Sequence, residues 1–84
     1  MKPLPHVRSN ISDDGLTLLD IRSGRIYRAN AIAARIWSGL ERGQPLKDIV
    51  ASIASDTGAD VAVVERDAAT FVDMLKVQAL VGER

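Results

Sequence analysis

LLDIRSGRIYRAN, residues 18–30, decides how this chain folds. Two runs rich in Leu, Ile and Tyr flank a Ser-Gly turn, and the second stops after five residues at Asn30, a residue suited to opening a helix. The first run extends back to Leu16, and residues 16–22 form the strongest predicted strand, with Thr17, Leu19 and Ile21 on one apolar face. Residues 25–29 form the next strand. A two-residue loop would set Arg22 against Arg25, which like charges disfavour. A three-residue loop with Gly24 in the left-handed position avoids this, and places Tyr27 and Ala29 on the face of Leu19 and Ile21. Upstream, Ser12-Asp13-Asp14-Gly15 is turn chemistry, preceded by a weaker strand over residues 5–11 in which Val7 and Ile11 are the strong β-formers. The N-terminal third therefore reads as a three-stranded antiparallel meander.

From Asn30 the periodicity becomes helical. Ile32, Ala33, Ile36, Trp37 and Leu40 share one stripe over residues 30–41, ended by Gly43. Pro45 suits the first position of a second helix, residues 45–57, whose apolar face is Leu46, Ile49, Val50 and Ile53 and whose stop is Gly58. Asp60 caps a third, residues 60–81, with the stripe Val61, Val64, Ala68, Phe71, Val72 and Leu75 and a stop at Gly82. The expectation is a single α+β domain over residues 1–84: three strands, then three helices, with Trp37 in the core.

Composition narrows the function. A chain of 84 residues buries only about 60% of its unfolded surface, so one small core must suffice. There is no cysteine, hence no disulfide or thiolate metal site. The segment MKPLPHVRSN lacks the apolar run of a signal peptide, and no window approaches the roughly 18 apolar residues of a membrane span. These features point to a cytoplasmic protein without a membrane partner. Eleven basic residues balance eleven acidic ones, which argues against nucleic acid as a partner.

Catalytic chemistry is sparse. His6 is the only histidine and has no Cys, Glu or second His at ligand spacing. The serines have no base placed beside them, Asp13-Asp14 reads as a solvated turn, and the six glycines are scattered, so no loop cradles a phosphate. No enzyme and no cofactor is expected; the chain should act by binding.

Three binding modes fit. In a helix-turn-helix DNA binder, residues 30–41 and 45–57 would be the helix pair and the hairpin a wing. The second helix, however, carries only Lys47 as a base, with Asp48 and Asp56 against it. An oligomerising module would use a second apolar row on the third helix, Val63, Met74, Val77 and Val81, to form a homodimer. The third mode uses residues 25–29. A short strand ending a meander leaves one edge unpaired. Arg25 and Arg28 can blunt it, or an extended peptide can fill it by strand addition, with the third helix as the opposite wall.

The ordered set Leu18-Leu19-Asp20, Ser23-Gly24-Arg25, Asn30, Ala33, Ile36-Trp37, Leu46–Asp48-Ile49-Val50, Asp67, Phe71, Leu75 and Leu80-Val81 resembles the PqqD-like proteins, the recognition elements of ribosomally made, post-translationally modified peptides (RiPPs). The resemblance covers about residues 7–81; Ala29 departs from it, where the family usually has a larger apolar residue before the Asn. It implies a winged helix-turn-helix-like fold that binds a precursor's leader segment between the third strand and third helix and catalyses nothing. A domain of this size is most like the leader-binding proteins of lasso-peptide pathways, whose partners are a cysteine-protease-type leader peptidase and then a cyclase. Pyrroloquinoline quinone assembly, serving a radical enzyme, is the nearest alternative. Carried over by position, the resemblance assigns Arg25, Ile26, Tyr27, Arg28 and Ala29 as the pairing strand. It assigns Val64, Asp67, Ala68, Phe71, Met74 and Leu75 to the groove wall, with Val64, Phe71 and Leu75 also candidates for the core.

Overall fold

The computed structural model describes residues 1–82. The elements are β1 (Lys2–Pro3), β2 (Val7–Ser12), β3 (Gly15–Asp20), β4 (Arg25–Ala29), α1 (Ala31–Glu41), α2 (Leu46–Thr57), α3 (Val61–Val77) and β5 (Val81–Gly82). β2, β3 and β4 form an antiparallel sheet in that order, so the expected meander is present and β4 is an edge strand. The three helices follow, with α1 packed on β3 and α2 and α3 packed on α1 and on each other, giving the expected α+β architecture.

The first hairpin closes as its residues dictate: Ser12 pairs with Gly15 and Asp13-Asp14 form the loop. Gly15 is required twice over. Its φ is +144°, and a Cβ there would lie 2.2 Å from the Ala29 carbonyl oxygen, where the chain leaves β4 for α1.

The second hairpin differs from expectation by one residue. Leu18 pairs with Tyr27, Leu16 with Ala29 and Asp20 with Arg25. A one-residue shift inverts a strand's faces, so Leu16 and Leu18 point into the core (2% and 1% exposed), while Leu19 and Ile21 face solvent (37% and 52%). The cause is the Asp20 carboxylate. Its Oδ1 accepts the N–H groups of Arg22 (2.9 Å) and Ser23 (3.3 Å), and the Asp20 carbonyl accepts Gly24 N–H (2.7 Å). This side-chain cap fixes the loop as Ile21–Gly24, with Gly24 at φ +75°, the left-handed conformation expected of it. The strand limits shift with it: the third strand stays at 25–29, whereas the second ends at Asp20 rather than 22.

The helices start where their caps place them. Asn30 Oδ1 accepts Ala33 N–H at 2.9 Å, and Asp60 Oδ1 accepts Ala62 N–H at 2.8 Å. Pro45 is the residue before α2, with extended backbone (ψ 143°), rather than its first helical position. Gly39 lets α1 and α2 close together, since a Cβ there would be 2.6 Å from Ile49. Trp37, Ile36, Leu40, Ile53, Leu75 and Leu80 are fully buried and form the centre of the core.

The third helix is shorter than the sequence suggests. It ends at Val77, not near residue 81, because Ala79 adopts φ +57° and Leu80 N–H donates to the Leu75 carbonyl (2.9 Å), closing the last turn. Gly82 is thus not its stop. Val81 belongs to β5, pairs with Pro3 of β1 and is buried, so it is not part of an exposed helical row. His6 Nε2 lies 3.0 Å from the Ala79 carbonyl and helps hold the same corner.

Two outcomes test this account. Gly15→Ala should cost roughly 2–4 kcal/mol of unfolding free energy, from backbone strain and overpacking together. Gly24→Ala, with open space around it, should cost only about 1 kcal/mol; urea denaturation of both variants distinguishes them. The Asp20 carboxyl is the second. Burial raises its pKa, but hydrogen bonds from Ser23 and Arg22 outweigh this, and the net shift is downward. A pKa lower in the folded than in the unfolded state stabilises the fold above the ordinary aspartate pKa. That contribution is lost as pH falls through the folded value. Asp20→Asn should therefore be less stable than wild type at neutral pH and converge with it in strong acid, read from urea midpoints across pH.

Candidate peptide-binding groove

On one side β4 pairs with β3; its other edge has no strand neighbour among the described residues. Alternation makes its five side chains unequal. Tyr27 and Ala29 turn to the core side, opposite Leu18 and Leu16, and are half-buried, whereas Arg25, Ile26 and Arg28 are exposed.

Across from this edge runs α3, which packs mainly on α2, α1 and β5 rather than on β4. The two elements therefore flank a cleft. Helical spacing separates two stripes on α3 and its C-terminal cap, Gln78. Val64, Ala68, Val72 and Leu75 form the stripe turned to the core and are at most 5% exposed. Asp67, Phe71, Met74 and Gln78, spaced i, i+4, i+7 and i+11, form the stripe beside it, with Phe71, Met74 and Gln78 half-buried and Asp67 exposed.

One hydrogen bond spans the cleft, from Tyr27 Oη to Gln78 Oε1 at 3.1 Å. At the other end lies an open hollow of about 320 Å³, lined by Ala29, Asp67, Thr70 and Phe71 and by Asn30 and Ile32 at the start of α1. The small side chain at position 29 contributes to its opening: a larger residue there would project into the same space.

The structure thus brings Ala29, Asp67 and Phe71 of the sequence-derived set around one hollow, with Tyr27 further along the cleft and Met74 on the same helical stripe. Arg25, Ile26 and Arg28 lie on the same open strand. Val64, Ala68 and Leu75 sit in the core and present almost no surface to a ligand. Asn30, Ile32 and Thr70 line the hollow although sequence reasoning did not select them. The signal for Asn30 and Ile32 was available: a helix capped immediately after β4 must place its first turn against the end of that strand.

A free sheet edge facing an amphipathic helix across a partly apolar cleft is the geometry that strand addition uses in other proteins. The sequence profile of the family described as "Coenzyme PQQ synthesis protein D (PqqD)" matches residues 15–81, and the chain belongs to that family. It is similar over its whole length to the solved structure of TbiB1 in complex with the TbiA(beta) leader peptide, with 33% identity, 98% of that chain covered and a TM-score of 0.88. It is also similar to lasso peptide synthetase B1 complexed with the leader peptide, at 31% identity and TM-score 0.81, over 92% of this chain and 91% of that one. None of the curated proteins matches the chain. Fold and kinship are those of a PqqD-like RiPP recognition element, as the sequence resemblance implied.

Proposed function

We propose that this protein is a non-catalytic adaptor of lasso-peptide biosynthesis that binds a precursor's leader segment as a fourth strand on β4. The observation that carries this reading is the open β4 edge facing the Asp67–Phe71–Met74 stripe across the hollow at Ala29. Backbone hydrogen bonds along Arg25–Ala29 would align the peptide, and the hollow would select among its side chains. Arg25 and Arg28 would meet leader carboxylates, and Asp67 a leader base or hydroxyl. The adaptor would act in the cytoplasm and present the leader to a cysteine-protease-type peptidase, with a cyclase acting afterwards. The leader-bound state of both similar structures supports this choice of ligand. No helix among the described residues is long and apolar enough to cross a membrane, and no group of three or more His, Cys, Asp or Glu among them could hold a metal ion.

The DNA-binding alternative is not favoured. Arg35, the base on α1 nearest the second helix, is tied to Asp56 (2.6 Å) and Ser52 (3.4 Å) rather than free for phosphate. Lys47 then remains beside Asp48 as the base of α2.

Titration of the purified protein with leader peptides encoded beside its gene tests the reading. Saturable binding should shift the amides of residues 25–29 and of the 67–74 stripe most. Tyr27→Pro, which removes a strand N–H and distorts β4, should abolish binding while the helices stay folded. Met74→Glu should weaken it about tenfold or more, the loss of roughly one buried apolar side chain. Unchanged affinity in both variants would place the peptide elsewhere.

A further inference from the structure

Ile11 faces inward but is not covered. It pairs with Leu16, so the two side chains share the core-facing side of the sheet. Leu16 is 2% exposed there, whereas Ile11 is 46% exposed. The cause is the position of α1, which packs on β3 and leaves β2 overhanging the margin of the core. Beneath that overhang lies an open hollow of about 430 Å³, larger than the one at Ala29. Its apolar wall is Ile11, Ala31, Ile32 and Ala34. At its rim, Thr57 Oγ1 donates to the Ile53 carbonyl (2.8 Å) and Arg35 is paired with Asp56. Such a lining suits an apolar side chain and offers no unpaired charge to an ion.

The hollow adjoins the peptide groove. Ile32, on the first turn of α1, lines both this hollow and the one at Ala29. A smaller depression lies between them at the end of the sheet. It shares Ala29 with the first hollow and Ser12 with the second, and Asp14, Thr17 and Arg28 make it polar. A peptide paired along β4 and running past Ala29 meets this path, because the chain itself turns there into α1. β4 and β2 are two strand spacings apart, about 10 Å, which about three extended residues cover.

Continuity and shape choose the occupant. An isologous contact between two copies centred here would set hollow against hollow and fill neither. A peptide already held on β4 reaches the hollow as an intramolecular event, at high effective concentration. We infer that the hollow between Ile11 and α1 is a second leader subsite, which takes a bulky apolar side chain about four residues beyond the one seated at Ala29. The residues between the two anchors are polar and cross the depression at Asp14 and Arg28. Ile32 is the wall that separates the two subsites.

This rests on the adaptor reading and deepens it. Recognition then depends on the spacing of two apolar anchors in the leader, and not only on the segment paired with β4.

The test uses the full chain and two peptides from the precursor encoded beside its gene. One is the whole leader; the other is trimmed at the end that emerges beside Ala29, just past the residue seated there. The variants are Ile11→Asp, which puts a charge in the hollow, and Ala31→Trp, which fills it from an exposed position. Wild type should bind the whole leader about tenfold more tightly than the trimmed one, by fluorescence polarisation. Both variants should lose that difference and hold the trimmed peptide within twofold of wild type. The Ile11 methyl signals of wild type should shift with the whole leader and not with the trimmed one. Circular dichroism checks the folding of each variant; where one is unfolded, the other and the wild-type methyl signals decide. Equal affinity of wild type for the two peptides, unchanged whole-leader affinity in the folded variants, or unmoved Ile11 methyls overturns the second subsite and leaves the adaptor reading standing. Absence of leader binding by wild type overturns the adaptor reading instead. A wild-type dimer by sedimentation that Ile11→Asp dissociates assigns the hollow to a second copy and overturns the proposal.

Discussion

The Asp20 carboxylate, held by the N–H groups of Arg22 and Ser23, fixes which residue of β3 faces which residue of β4. Almost everything else depends on that register. With Leu18 opposite Tyr27, Leu16 and Leu18 complete the core beneath α1, Tyr27 reaches Gln78, and Ala29 opens a hollow beside Phe71. Slipped by one, the same strand would send Leu19 and Ile21 inward and leave Leu16 and Leu18 in water. The chain holds its register with a buried charge, and that charge is stable only because backbone donors surround it.

A free strand edge ordinarily carries a risk of self-association, and charged side chains along it reduce that risk. Arg25 and Arg28 fill this role on β4 without removing its unpaired N–H and C=O groups, so the edge stays available to a peptide. The magnitudes explain why an edge alone would not suffice. About four new backbone hydrogen bonds at a net ~0.5–1.5 kcal/mol each give roughly 2–6 kcal/mol. Micromolar affinity needs about 8 kcal/mol after the costs of ordering a flexible peptide are met. Apolar side chains entering the Ala29–Phe71 hollow, at about 1.5–3 kcal/mol apiece, would supply the difference and make such a site selective.

Much of this was legible in the sequence. Asn30 and Asp60 marked helix starts through side-chain caps that the structure contains, Ser12–Gly15 marked the first turn, and residues 25–29 formed a strand with the same limits. The register was not legible, because both choices bring leucines inward and the deciding interaction is a carboxylate folding back on its own loop. The end of α3 was missed for a related reason: Ala79 takes a left-handed conformation that sequence rules reserve for Gly or Asn. The two-residue strands β1 and β5 are too short to carry any periodicity. On α3, periodicity found the apolar positions but could not separate the core stripe, Val64–Ala68–Leu75, from the neighbouring Asp67–Phe71–Met74. That distinction requires knowing on which side β4 lies.

The register also explains why one small domain can present two surfaces at once. β4 contributes its edge and its inward side chains, Tyr27 and Ala29, to the groove, and its outward side chains, Ile26 and Arg28, to the opposite face. A strand added at that edge would be read from both sides by the same alternation: one set of side chains in the hollow, the other beside Ile26. Selection of a peptide and the outward presentation of its alternate side chains would therefore not be independent in this fold. They are the two faces of a single five-residue strand, and a substitution that moves the β3–β4 register by one residue would exchange them.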